Sequence, residues 1–301
     1  DVVIGGPPCK VFSTAGEMNP DDPRNSLVES YLEVVEELDP EVVVMENVEG
    51  ILRLENGKFA EKIQIELEEQ GYRISKPQKL SATRYGVPQS RTRIFFTGIK
   101  SGEPLELAEN HNPVAADGGT VLELNSQDFE DSMRPVTTQE AIGDLSFLGI
   151  GASADKHQQE PQSTYQRQIR DGSEKLHNHK TTNHGDTVRN RFSMIPPGGS
   201  MEDIPEDYQT SKHTQQRLHP KEPAPTVTTL PEDMIHYQSP RIPTVREMAR
   251  LQSFPDWFEF LGPRTTGGSS RKKSCPQYSQ VGNAVPPRLA EGVAIQVIRR
   301  F

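Results

Sequence analysis

The chain has 301 residues, is 33% hydrophobic, carries a net charge of −10 and contains two cysteines. That length sets a prior of two domains of roughly 150 residues each. No run approaches the ~18 apolar residues of a membrane helix, and two cysteines make neither a disulfide framework nor a four-cysteine zinc site. A soluble, globular, cytoplasmic protein without a metal site is expected.

The charge is unevenly spread. Residues 1–60 hold four basic and thirteen acidic side chains, whereas 263–290 hold five basic ones (Arg264, Arg271, Lys272, Lys273, Arg288) and no acidic one. A basic stretch on an acidic body is compatible with phosphate contact and equally with a solvated loop.

Asp1–Gly6 reads as a short buried strand closed by Gly5-Gly6-Pro7-Pro8. Arg24–Asp39 reads as an amphipathic helix with Leu27, Tyr31, Val34, Val35 and Leu38 on one face, stopped by Pro40. A strand is expected over Glu41–Val48, a helix over Phe59–Gln70 and a strand over Arg93–Ile99. Alternation of strands with helices predicts a parallel, doubly wound α/β sheet, with ligands beyond the carboxyl ends of its strands. Residues 101–225 lose this periodicity. Pattern returns at Thr244–Phe254, where Thr244 and Glu247 form a capping box, and in a final helix over Pro287–Arg300.

Four places carry side chains suited to chemistry. Cys9 follows two glycines and two prolines at a strand end, where a thiol can be held rigidly and activated as thiolate. Glu46 follows the second strand and is expected in the same cleft, where a protonated carboxyl can donate to a ring nitrogen. Strand alternation places Arg91 and Arg93 on one side, suited to orienting an oxygen or neutralising a phosphate. Gly282-Asn283 before Pro286-Pro287 reads as a polar turn opening a helix, where an anion can meet backbone N–H groups.

In their order, GGPPCxxFS (5–13), ENV (46–48), QxRxR (89–93), RExARLQSFPDxF (246–258) and QVGNAVPP (280–287) resemble five sequential motifs of the cytosine-C5 DNA methyltransferases. Asp22-Pro23-Arg24-Asn25, Tyr85-Gly86-Val87-Pro88 and the Arg217–Thr228 region are lesser matches. The resemblance spans nearly the whole chain and implies a doubly wound Rossmann-like methyltransferase sheet with a second, smaller target-recognition domain. The expected division is a catalytic part at 1–99, a recognition part at 100–276 and a returning segment at 277–301.

The resemblance further implies S-adenosylmethionine as cofactor, double-stranded DNA as partner and a base flipped out of the duplex. Cys9 would add to C6 of cytosine, Glu46 would contact N3 and the exocyclic amine, Arg93 would hold O2 and Arg91 would support the loop. Leu27, Asn283 and Val285 would line the cofactor site. Lys10, Ser13, Arg189, Arg191 and the stretch Leu176–His184 are candidates for DNA contact. The Cys-Phe-Thr triplet of the RNA-directed branch does not occur in this region, which favours DNA. A cognate restriction endonuclease is a further expected partner.

Lys10 stands where the family usually has Gln, and Val11 where it usually has a small residue. The glycine-containing FLGIGA at 147–152 lacks the flanking strands of a cofactor loop. The family's first three motifs are expected upstream of Asp1, in a longer protein, across an interrupted gene or in another chain, leaving an apolar sheet edge. The alternative function is therefore a DNA-binding remnant or subunit that recognises a site without methylating it. A thiol hydrolase would need a histidine near Cys9, and the nearest in sequence is His111.

Overall fold

The computed structural model describes residues 1–8, 26–108, 134–211, 214–265 and 274–301. Cys9, Lys10, Val11 and Ser13 lie outside these, as do residues 109–133 and 266–273. The chain forms two compact units. The first draws on Asp1–Ser81, Thr92–His111 and Val293–Phe301, the second on Ala82–Arg91 and Asn112–Gly292.

In the first unit β1 (Val2–Gly5), α1 (Ser26–Leu38), β2 (Val42–Asn47), α2 (Lys58–Glu69), β3 (Arg73–Ile74), β4 (Gln78–Ser81) and β6 (Thr92–Ile99) follow in chain order. The sheet runs β1-β2-β6-β3, with β4 also paired to β6. Val43 and Met45 of β2 and Ile94 and Phe96 of β6 face one core with Val28, Leu32 and Val35 of α1 and Ile63 and Leu67 of α2. Val44 lies opposite Thr97, whose hydroxyl donates to Leu105 O at 2.7 Å, so the strap after β6 reaches the other face.

The sheet is mixed, which corrects the all-parallel expectation. β1 pairs parallel to β2, but β6 is antiparallel to β2, β3 and β4. Ser81 ends β4 directly opposite Thr92 at the start of β6. The excursion Ala82–Arg91 therefore returns the chain to the end it left, as an antiparallel connection does. A parallel return would need a crossover of about a dozen residues or more along the sheet. β3 and β4 are short and polar and carry no apolar run.

The second unit contains β5 (Gln89–Ser90), α3 (Thr138–Ile142), α4 (Thr164–Arg170), α5 (Asp186–Met194), β7 (Gln216–Arg217), β8 (Ala224–Pro225), β9 (Met234–Ile235), α6 (Val245–Leu251) and α7 (Gln277–Asn283). α8 (Pro287–Ile298) begins in it and ends in the first. β5 pairs parallel to β8, and β7 parallel to β9. This unit takes more of the chain than the first, so it is not the smaller one. The division also departs from expected boundaries at 99/100 and 276/277, because Ala82–Arg91 and the segment 277–292 both pack within the second unit. Among the described residues no helix is long and apolar enough to cross a membrane.

The second core buries charged side chains beside its apolar cluster. Thr244 caps α6 as expected: its Oγ1 accepts from Glu247 N at 3.1 Å, and its own N donates to Glu247 Oε2 at 2.7 Å. Glu247 also takes a two-pronged bond from Arg241, at 2.7 Å to each oxygen. Arg250 bridges two buried carboxylates, donating to Asp144 Oδ1 at 2.5 Å and Asp256 Oδ2 at 2.6 Å. Arg246 donates to His177 O and Pro255 O at 2.9 Å each, and to Phe258 O. Burial opposes ionisation of Glu247 and Asp256, yet Arg241 and Arg250 outweigh it and hold both carboxyls far below their usual range.

Two histidines are locked neutral by the same packing. His179 Nδ1 faces the Thr244 hydroxyl at 3.0 Å and its Nε2 faces Leu145 O at 3.1 Å. His236 Nδ1 accepts from Gln238 N and Ser239 N at 3.1 and 3.2 Å. Protonation would cost the acceptor role of each Nδ1, and burial pushes the pKa of His179 down to about 4 and that of His236 to about 3.

Two outcomes follow for stability. Because each histidine titrates lower folded than unfolded, the unfolded chain binds more protons below pH ~6.5. Stability should fall from there toward pH 4, by up to about 1.4 kcal/mol per pH unit for each histidine, and further below pH ~4 as Glu247 and Asp256 protonate. A urea midpoint that stays constant from pH 7.5 to 5 would contradict this. Arg250→Met should cost ~3–5 kcal/mol by stranding two buried carboxylates. Lys62→Met, which removes only the exposed pair with Glu29, should cost under ~1 kcal/mol. Equal urea midpoints for the two variants would refute the network's role.

Candidate active site

β1 and β2 run parallel, so the loops leaving both emerge at one end of the first unit's sheet. There Asn47 Nδ2 donates to Pro7 O at 3.2 Å and anchors the described end of the loop that leads to Cys9. Gly6 lies against the Glu46 carboxylate: a Cβ at this position would stand 3.1 Å from Oε2.

The reversed β6 supplies the next group. Asn47 pairs with Ile94, so Arg93 reaches the carboxyl end of β2, and its Nε lies 2.7 Å from Glu46 Oε1. Both side chains are mostly buried, at 13% and 15% exposure. Burial lowers the Arg93 pKa, and the Glu46 carboxylate opposes that fall. Arg93 also donates to Thr92 O at 2.7 Å. A guanidinium and a carboxylate held at one sheet end offer donors and an acceptor to the edge of a planar polar ring.

Arg91 does not share this location. It sits between β5 and β6, two strands with different partners, so strand alternation does not carry across it. Its guanidinium is buried in the second unit, donating to Val227 O at 3.0 Å and Gly282 O at 2.9 Å. Gly282 and Asn283 form the last turn of α7, rather than a turn opening a helix. The backbone N–H groups of that helix end are directed into the helix, which removes the anion-binding reading.

The expected cofactor residues retain surface for a ligand. Leu27 on α1 is 40% exposed although its neighbour Val28 is buried. Asn283 is exposed and Val285 half-buried beyond α7.

The DNA-contact candidates divide. Arg189 and Arg191 are half-buried on α5, the first paired with Asp186 and the second donating to Tyr208 O at 2.7 Å. Within Leu176–His184, His179 is buried as described. Asn178 Nδ2 donates to Phe260 O at 2.8 Å, and its Oδ1 accepts from Phe260 N at 2.9 Å. Those two residues are internal braces and are corrected as base-reading candidates.

Sequence reasoning passed over Gln89 and Gln252. Both are fully buried, and Gln89 Nε2 donates to Gln252 Oε1 at 2.7 Å and to Leu251 O at 2.8 Å. The available signal was an amide beside apolar residues inside each of two motifs.

A family model described as C-5 cytosine-specific DNA methylase matches residues 1–299. The Type II methyltransferase M.DdeI of Desulfomicrobium norvegicum is 35% identical over 99% of this chain and 72% of its own length. The Type II methyltransferase M1.HphI of Haemophilus parahaemolyticus is 34% identical over 99% and 68%. Among solved structures, a putative prophage-encoded DNA modification methyltransferase from E. coli superposes with a TM-score of 0.71 at 25% identity, covering 99% of this chain and 78% of that one. The S. pombe Dnmt2 methyltransferase shares the fold, with a TM-score of 0.54 at 16% identity over 99% and 77%. With its mixed sheet in the Rossmann-like methyltransferase fold, this chain belongs to the C-5 cytosine-specific DNA methylase family and is a DNA (cytosine-5-)-methyltransferase.

Proposed function

We propose that the chain methylates C5 of a cytosine within a specific duplex sequence, on a flipped-out base, with S-adenosylmethionine as donor. The observation that carries this reading is the Glu46–Arg93 pair, 2.7 Å apart, at the sheet end where Asn47 anchors Pro7 two residues before Cys9. The recognition role falls to the second unit, the cytoplasm is the proposed location, and a restriction endonuclease of the same specificity is the proposed companion.

C5 of cytosine is a weak nucleophile. Addition of the Cys9 thiolate to C6 forms a carbon–sulfur bond and moves electron density to C5, while Glu46, protonated on one oxygen, donates to N3 and accepts from the exocyclic amine on the other, which limits charge in the ring. Arg93 at O2 fixes the base and steadies Glu46 through their shared contact. The sulfonium cofactor supplies an electrophilic methyl group when bound, and Asn283, Val285 and Leu27 are the residues proposed to hold it. Loss of the C5 proton to a base re-forms the C5–C6 double bond and expels Cys9 as thiolate.

Transfer of labelled methyl groups from S-adenosylmethionine to duplex DNA by the 301-residue chain is the direct test. Cys9→Ser should abolish incorporation, and retained activity would sink the mechanism. Absence of incorporation by the unaltered chain, with DNA still bound, would select the non-catalytic DNA-binding reading. Glu46→Gln should slow transfer by about 10²–10⁴, the range of a lost general acid. Gly6→Ala should also slow transfer, by about tenfold or more, as a methyl against Oε2 displaces a carboxylate that must be accurately placed. A Gly6→Ala enzyme with unchanged kcat would show that this placement is not critical.

A further inference from the structure

Three buried polar side chains meet where four segments of the second unit converge. Gln252 Nε2 donates to Val281 O at 2.7 Å and to Ala284 O at 3.4 Å. Its Oε1 accepts from Gln89 Nε2, and Gln89 Oε1 accepts from Val227 N at 3.0 Å. Arg91 joins Val227 O to Gly282 O. The carbonyls taken at the end of α7 are thus those of Val281, Gly282 and Ala284, the residues on either side of Asn283.

Close backbone approach completes the arrangement. A Cβ on Gly282 would lie 2.3 Å from Thr228 O and 2.6 Å from Thr229 N, so only glycine lets the helix end rest on that segment. An apolar side chain could fill the volume of Gln252 but would leave the Val281 carbonyl and the Gln89 amide without these bonds. Buried polar groups desolvate at a cost, and when mutually satisfied they specify one arrangement rather than a family of similar ones.

We propose that Gln252 and Arg91 are positioning residues for the cofactor, holding the Val281–Ala284 turn so that Asn283 and Val285 present their binding conformation before the cofactor arrives. This rests on the reading of Asn283 and Val285 given under Proposed function. A turn ordered in advance removes part of the ordering cost from binding, so its loss weakens cofactor affinity and leaves the chemical step largely intact. Arg91 acts through backbone carbonyls and does not touch the target base.

The test uses Gln252→Met and Arg91→Lys in the 301-residue chain. Lysine keeps the charge of Arg91 but lacks the planar fork that spans two carbonyls. S-adenosylhomocysteine binding is measured by calorimetry, steady-state kinetics separate donor KM from kcat, and hydrogen exchange follows the amides of 281–284. The expected result is a rise in Kd and donor KM of about tenfold, kcat within about threefold, and faster exchange at 281–284 with β2 and β6 unchanged. Should Gln252→Met not fold, Gln252→Asn keeps both polar atoms one methylene short and must show the same shift. A lowered unfolding midpoint with unchanged Kd would reduce the hub to a stability element and overturn the proposal. A fall in kcat at constant donor KM for Arg91→Lys would overturn it in favour of direct action on the base. If the unaltered chain binds no S-adenosylhomocysteine, the cofactor reading fails and takes this inference with it; if it binds and the variants bind equally, the inference alone fails.

Discussion

The antiparallel pairing of β6 with β2 is the constraint from which the candidate site follows. Arg93 lies at the start of β6 and Glu46 near the end of β2. In a parallel pairing those two positions would fall at opposite ends of the sheet, separated by about 3.3 Å per residue of strand. Reversal of β6 brings them to one end and within 2.7 Å. The register then matters as much as the direction, since a slip of one residue would turn Arg93 to the opposite face. Val43, Met45, Ile94 and Phe96 hold that register by burying one face against α1 and α2.

Arginine serves two different ends in this chain. Arg93 is held beside a carboxylate at the sheet end, whereas Arg91, Arg241, Arg246 and Arg250 are among the largest fully buried side chains. Each of these four bonds to carbonyls or carboxylates and closes a loop around itself. A guanidinium is well suited to this, since its donors diverge in one plane and can satisfy several acceptors at once. The second unit thereby gains polar contacts that specify its core in addition to its apolar cluster. The same network makes it sensitive to acid, because Arg241 and Arg250 are paired with carboxylates and the neighbouring histidines are folded in their neutral form.

The main elements of the first unit were legible from periodicity: α1, β2, α2 and β6 lie within a residue or two of their expected ranges. The Thr244–Glu247 capping box was legible for the same local reason, a hydroxyl and a carboxylate three positions apart. β3 and β4 were not, because Arg73-Ile74 and Gln78–Ser81 are too short and too polar to show alternation. The arginine pair was misread because alternation was carried through Arg91, where the chain changes partners. Asn178 and His179 look like surface residues by type, and only their bonds to Phe260, Thr244 and Leu145 show that they are internal.

By itself the sequence determined the family, through five motifs in order, and the local elements that capping, periodicity and turn residues encode. Cys9, Glu46 and Arg93 are also marked at that level, since these residues stand inside the motifs. Tertiary structure alone decided strand direction, the assignment of Ala82–Arg91 to the second unit and the separate fates of Arg91 and Arg93. Hydrophobic periodicity reports which face of an element is buried, but it carries no information about the direction of the neighbouring strand or about which distant carbonyl a buried guanidinium will find.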